Sequence, residues 1–168
     1  MRVPATLLAL FPALALAQPA PATVDVCFVP AQACQGTIVA AIDAARSEIR
    51  VEAYGFTATP IIAALLRARA RGVDVAVLLD RINEYARHSG LAAIAQAGIP
   101  VWIDSTRGIA HIKAIIIDRR YVIGGSYNFT VSAERRNVED VTLLDAPDIA
   151  ARFLRNWNRR RDTAVAAE

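Results

Sequence analysis

The sequence holds 19 lysines and arginines, and just one of them, Lys113, is a lysine. It stands two residues after His111, one of only 2 histidines. A lone lysine in an arginine-rich chain points to a place where a planar guanidinium cannot replace a compact ammonium. The surrounding string, HIKAIIIDRRYVIGGSYNFT over residues 111–130, adds Asp118, Ser126 and Asn128. Such a set of groups can bind a phosphodiester. The ammonium and amide would stabilise its oxygens as charge builds. The imidazole would attack phosphorus and form a covalent intermediate.

Parity decides which of these side chains meet. Successive strand side chains alternate faces. On an extended 111–117 segment, His111 and Lys113 share a face and Ile112 takes the other. Asp118 has the parity of Ile112, which assigns it a structural part. Gly124 and Gly125 permit a tight turn and a close backbone approach just before Ser126 and Asn128.

The elements that must position these groups alternate along the chain. Strands are predicted at 24–29, 49–55, 73–79 and 101–103, and helices at 34–46, 60–70 and 89–97. A hairpin follows, with strands at 111–117 and 121–123 around a turn at 118–120. A strand at 138–144 and an amphipathic helix at 147–161 complete the chain. Strand–helix alternation predicts an α/β fold with a mixed, mostly parallel β-sheet and helices on both faces. A length of 168 residues with 55% hydrophobic content fits one domain, assigned to 24–168.

Residues 1–17 have the form of a secretory signal peptide. Arg2 is followed by an apolar run at 7–16, and Ala15-Leu16-Ala17 forms a small-x-small cleavage site. The run is shorter than the ~20 apolar residues of a membrane span. A Pro/Ala linker covers 18–23. Export makes Cys27 and Cys34 a local disulfide, which adds about 2–3 kcal/mol for so short a loop. Two cysteines without a neighbouring histidine are an incomplete metal set. The net charge of +3 is compatible with a polyanionic partner.

Residues 111–128 resemble the HKD motif of the phospholipase D superfamily, H-x-K-x4-D-x6-G-S-x-N. His111, Lys113, Asp118, Gly125, Ser126 and Asn128 match with every spacing kept. Asn137, Glu139 and a C-terminal helix with Trp157 are similar to the superfamily's short bacterial endonucleases, as are the length, the leader and the single motif copy. The resemblance implies a phospholipase D-like fold and a catalytic set of His111, Lys113, Asn128, Glu139, Ser126 and Asp118. His111 would become a phosphohistidine. Lys113 and Asn128 would hold the phosphate with Ser126 beside them, and Glu139 would orient the histidine. Asp118 ranks below the others because of its parity. The resemblance implies neither metal nor cofactor.

That chemistry needs a second histidine to protonate the leaving oxygen and later activate water. His88, in the polar stretch 81–90, lacks a following lysine and reads as a loop histidine. A homodimer supplies the missing group by placing two His111 side chains about one phosphate. Two residue pairs are candidates for bordering the cleft: Arg119 and Arg120 on the turn, and Tyr54 and Phe56 after a strand. Tyr127, Phe129 and Trp157 read as core. Arg152, Arg155, Arg159, Arg160 and Arg161 form a basic C-terminal face, which is a solvated surface or a nucleic-acid contact.

The favoured expectation is an exported, periplasmic or secreted, metal-independent endonuclease acting on DNA, with RNA left open as a further substrate. One alternative is a lipid phosphodiesterase or phosphatidyltransferase using the same residues. The other is a non-catalytic exported polyanion-binding protein, which would show salt-sensitive binding without turnover.

Overall fold

A computed structural model describes residues 22–167. The leader at 1–17 and most of the linker lie outside the described residues, and Thr23 already belongs to the first strand. The strands are β1 (Thr23–Val29), β2 (Glu48–Ala53), β3 (Asp74–Asp80), β4 (Val101–Asp104), β5 (Lys113–Ile117), β6 (Tyr121–Gly125), β7 (Glu139–Asp145) and β8 (Val165–Ala166). They form one eight-stranded sheet in the order β1-β7-β6-β5-β2-β3-β4-β8. The helices are α1 (Cys34–Asp43), α2 (Thr59–Ala70), α3 (Leu91–Gln96), α4 (Val131–Arg135) and α5 (Pro147–Arg161).

The sheet is mixed, but it is mostly antiparallel, which corrects the expectation of a mostly parallel one. Only β2–β3 and β3–β4 run parallel, the pairs joined through α2 and α3. The run β5–β6–β7 is an antiparallel meander. β1 leaves the alternating pattern altogether and pairs antiparallel with β7 at the far edge. Strand–helix alternation constrains only neighbours joined by a crossover. It says nothing about where the first strand and the closing meander dock.

Helices cover both faces, as expected. Ile49, Val51, Ala53, Ile115 and Ile117 face the core shared with α1 and α2. Ala76, Leu78, Ile116 and Val122 face Ala150 and Trp157 of α5. α5 is anchored at one strong point. Trp157 is fully buried, packs edge-on to Trp102, and its indole N–H donates to Val51 O at 2.8 Å. A buried side chain of this size contributes about 3–5 kcal/mol. One turn on, the Arg160 guanidinium forks onto buried Asp104, with contacts of 2.8 and 2.6 Å. The Cys27–Cys34 disulfide is formed and ties β1 to the first residue of α1.

The β5–β6 turn places Asp118 and Arg119 in the left-handed region, at φ 52° and 55°. Asp tolerates that conformation better than most residues. Its carboxylate accepts hydrogen bonds from the backbone N–H groups of Arg46, Ser47 and Glu48 and from Ser47 Oγ. The side chain therefore clamps the hairpin to the start of β2.

Candidate active site

The central strands β2 and β5 are antiparallel neighbours, with Ala53 opposite Lys113. One step further, Tyr54 N donates to Ile112 O at 3.0 Å. His111 and Lys113 thus sit where β5 begins and β2 ends. β6 ends and β7 begins at this same end of the sheet, with Gly125 opposite Val141. That register delivers Ser126 beside Glu139.

The polar groups here are bonded to one another. Ser126 Oγ donates to Glu139 Oε2 at 2.5 Å, and Asn137 Nδ2 donates to Glu139 Oε1 at 2.7 Å. Ser126 N donates to Asp140 Oδ1, and Asp140 N returns a bond to Ser126 Oγ. Gly125, at φ 128°, is required here: a Cβ would run into the Asp140 carbonyl and carboxylate. The close approach the glycines permit is that of strand β7.

Lys113 Nζ donates to His111 O at 3.0 Å and lies 5.7 Å from the Tyr54 ring centroid. Partial burial lowers the pKa of its ammonium, and the negative charge of Glu139 pulls it back. His111 is exposed, and its imidazole meets the Tyr54 ring edge-on, centroids 4.6 Å apart at 71°. Both Glu139 oxygens accept from Ser126 and Asn137, and neither accepts from His111.

Asn128 stands on the next loop. Its Oδ1 is buried without a partner. An orphaned buried amide costs free energy unless a ligand engages it. Gly55 packs against the same loop, where a Cβ would press on Thr130 Cγ2 at 2.9 Å. The loop is held by Glu134, which accepts from Tyr127 Oη and from Gln35 N of α1.

The structure therefore gathers His111, Lys113, Ser126, Asn128 and Glu139 at one end of the sheet. Asp118 is at the other end of β5, roughly 15 Å away by strand rise. Arg119 and Arg120 are also at that far end, paired with Glu48 and Asp145. Of the proposed border residues, Tyr54 touches the site and Phe56 is buried core. Tyr127, Phe129 and Trp157 are core, as read. His88 is an exposed loop residue at φ 67°. The contact between Tyr54 and His111 escaped sequence reasoning because it depends on a non-local strand register. The hint was the adjacent Tyr54 and Gly55 at a strand end.

The loops at this end share a composition. Ile82, Tyr85, Ile109, Val131 and Val138 are exposed there, Tyr85 at 83% and Val138 at 86%. Arg81, Arg87, Arg107, Arg135 and Arg136 lie on the same loops. Among the described residues none of these five forms an ion pair, which is also true of Arg46, Arg69, Arg152, Arg155 and Arg159 elsewhere, whereas Arg50, Arg67, Arg71, Arg119, Arg120, Arg160 and Arg161 are paired. Among the described residues no three His, Cys, Asp or Glu side chains gather as a metal-binding group.

Fold and site together define a phosphodiester-processing α/β enzyme. The family model described as "Cardiolipin synthase, PLD-like domain" matches residues 38–161. "Phospholipase D" of Rickettsia prowazekii is 46% identical over 143 residues, 85% of this chain and 70% of that protein. "Mitochondrial cardiolipin hydrolase" of Mus musculus is 30% identical over 122 residues, 73% of this chain and 55% of that protein. Among solved structures, the phospholipase D family member Nuc from Salmonella typhimurium superposes with a TM-score of 0.83. It is 37% identical, covering 88% of this chain and 99% of that one. The chain belongs to the phospholipase D superfamily and is a phosphodiesterase of that family.

Proposed function

We propose that this phosphodiesterase is an exported endonuclease that hydrolyses DNA, and also RNA, without metal, at a site completed by a second copy of the chain. The observation that carries the reading is the cluster of His111, Lys113, Ser126, Asn128 and Glu139 around an uncommitted amide. An Nε or Nδ lone pair of His111 attacks phosphorus, and the P–O bond to the leaving nucleoside breaks. Lys113 and Asn128 meet the charge on the non-bridging oxygens. The leaving oxygen takes a proton from the partner's His111. That same histidine then deprotonates water, which attacks phosphorus and breaks the P–N bond. Glu139, braced by Ser126 and Asn137, stabilises the positive charge that builds on the imidazole. The two carboxylates at this end, Glu139 and Asp140, are engaged by Ser126 and Asn137, and such a pair beside a lysine is a poor cage for a hard cation. The Cys27–Cys34 disulfide supports export.

A nucleic acid is supported by the five unpaired arginines around the cleft and by the likeness to Nuc, which spans nearly that whole chain. A second reading, a lipid phosphodiesterase, is favoured by one specific observation. Four of the five exposed apolar side chains around the cleft are aliphatic, and aliphatic groups suit an acyl–headgroup boundary better than they stack on bases.

The test offers purified protein plasmid DNA, RNA, anionic phospholipid vesicles and a chromogenic phosphodiester, all in chelator. Nicking of the plasmid with an acid-labile phosphoenzyme is the expected result. Cleavage of lipid alone moves the assignment to the second reading, and activity only with added divalent metal overturns the chemistry. Mixing wild-type and His111→Ala protomers examines the dimer: heterodimers should be nearly inactive. Activity proportional to the wild-type fraction would place a complete site in each copy.

A further inference from the structure

We propose that Tyr54 is the positioning residue of this site, an aromatic platform that holds the His111 imidazole and the Lys113 ammonium together. The inference rests on the reading of His111 as the nucleophile. Four observations support it.

First, the imidazole of His111 has no hydrogen bond to Glu139, whose two oxygens accept from Ser126 and Asn137. The Tyr54 ring is what it packs against, at 4.6 Å and 71°. Edge-on pairs at this separation are attractive and directional. Second, the same ring lies 5.7 Å from Lys113 Nζ, inside the range of attraction between a cation and an aromatic face. One side chain thus touches both the attacking group and the phosphate-binding group.

Third, the platform is itself clamped. Tyr54 N donates to Ile112 O of the segment that carries His111. Tyr54 O accepts from Asn83 Nδ2 at 2.7 Å. Asn83 is buried and also donates to Asp80 O. A ring fixed from both sides of its backbone can fix what leans on it. Fourth, the Tyr54 hydroxyl has no hydrogen bond within the described residues. The ring is therefore what acts, and Tyr54→Phe should preserve it.

The consequence is a separation of effects. Binding of the phosphodiester is spread over Lys113, Asn128 and the arginines of the rim, and without the ring Lys113 keeps its own bond to His111 O. The attack depends on where the imidazole sits. A shift near 1 Å at a reacting atom costs about 100-fold. Removing the ring should therefore lower kcat while leaving KM almost unchanged.

The experiment compares wild type, Tyr54→Phe and Tyr54→Leu. The readouts are kcat and KM on a chromogenic phosphodiester, thermal melting, and ring-proton NMR of the two histidines. His88, exposed on its loop, is the internal reference. Wild-type His111 ring protons should be displaced from those of His88 by the neighbouring aromatic current. Tyr54→Phe should keep that displacement and at least half of kcat. Tyr54→Leu should bring His111 to His88-like positions and lose about 10–100-fold in kcat with KM within twofold. Full kcat in Tyr54→Leu would overturn the proposal, as would equal losses in the two variants, which would assign the effect to the hydroxyl. Should Tyr54→Leu not fold, undisplaced His111 signals in the wild type would overturn it alone. The NMR arm requires no turnover, so a failure of the nucleophile assignment would leave the ring contact intact and be recognised separately.

Discussion

Ser47 donates to Asp118 twice, from its backbone N–H and from its hydroxyl, each at 2.8 Å to the same carboxylate oxygen. Arg46 N and Glu48 N add to the same carboxylate. The motif aspartate is therefore a staple between the β5–β6 turn and the start of β2. Burial by itself would raise this carboxyl, but the hydrogen bonds from Ser47, Glu48 and Arg46 outweigh it and hold the pKa below the usual carboxylate range.

Asp118→Ala should thus act on stability. Hydrogen bonds to a charged acceptor contribute about 1.5–3 kcal/mol, and losing this group should cost roughly 2–3 kcal/mol. Because the folded-state pKa is depressed, its contribution is present above the unfolded value near 4 and is lost as pH falls through the folded one. Urea denaturation at pH 7 and pH 3 should show a wild-type advantage that shrinks at the lower pH. Turnover per folded molecule should stay within a few-fold. A 1,000-fold loss in a fully folded Asp118→Ala protein would place the residue in the chemistry instead.

Glu52 is a second carboxyl whose environment has a measurable consequence. It is 3% exposed on β2, beneath α5, and its Oε1 lacks a partner. Burial and then the charge of Asp104 push its pKa up to about 7, and Arg160 and the Asn156 amide oppose them. The folded state therefore binds the proton more tightly than the unfolded chain, whose value is 4.5. Stability from this group is full below 4.5 and falls as pH rises through 7. Glu52→Gln should remove that slope. The variant should match wild type near pH 4 and exceed it near pH 8, by up to roughly 3 kcal/mol. Denaturant midpoints across pH 4–8 measure this. Parallel curves for the two proteins would mean that Glu52 is ionised throughout.

Much of this site was legible because motif residues close in sequence report local geometry. Parity put Asp118 on the face opposite His111 and Lys113. The structure also sets it apart from them, but by position along the strand, in the left-handed turn past the end of β5, where it bonds Ser47. The helix at 147–161 was read with its observed bounds, because Pro147 starts it and the apolar positions repeat at helical spacing. The misses share one cause. The antiparallel bias of the sheet, the seat of β1 beside β7 and the Tyr54–His111 contact are all pairings between distant segments. No local pattern encodes them. The short helix α4 and the two-residue strand β8 lie below the length at which periodicity can be read.

Lys113 is where sequence and structure converge on one substitution. The residue is half-buried, and its Nζ donates to His111 O at 3.0 Å and lies over Tyr54. An ammonium can hold that backbone bond and turn a second proton toward a phosphate oxygen. A guanidinium is longer and wider, and it approaches anions as a planar fork. In the same space it would displace the His111 backbone or overshoot the phosphate, and in a shared dimeric site the misfit would occur twice. Lys113→Arg preserves charge, so binding through long-range attraction should persist. Turnover of a chromogenic phosphodiester should fall about 100-fold or more, with thermal melting close to wild type. Near-wild-type turnover by a stable Lys113→Arg protein would mean that the lysine supplies only charge, and that its isolation among arginines carries no chemical information.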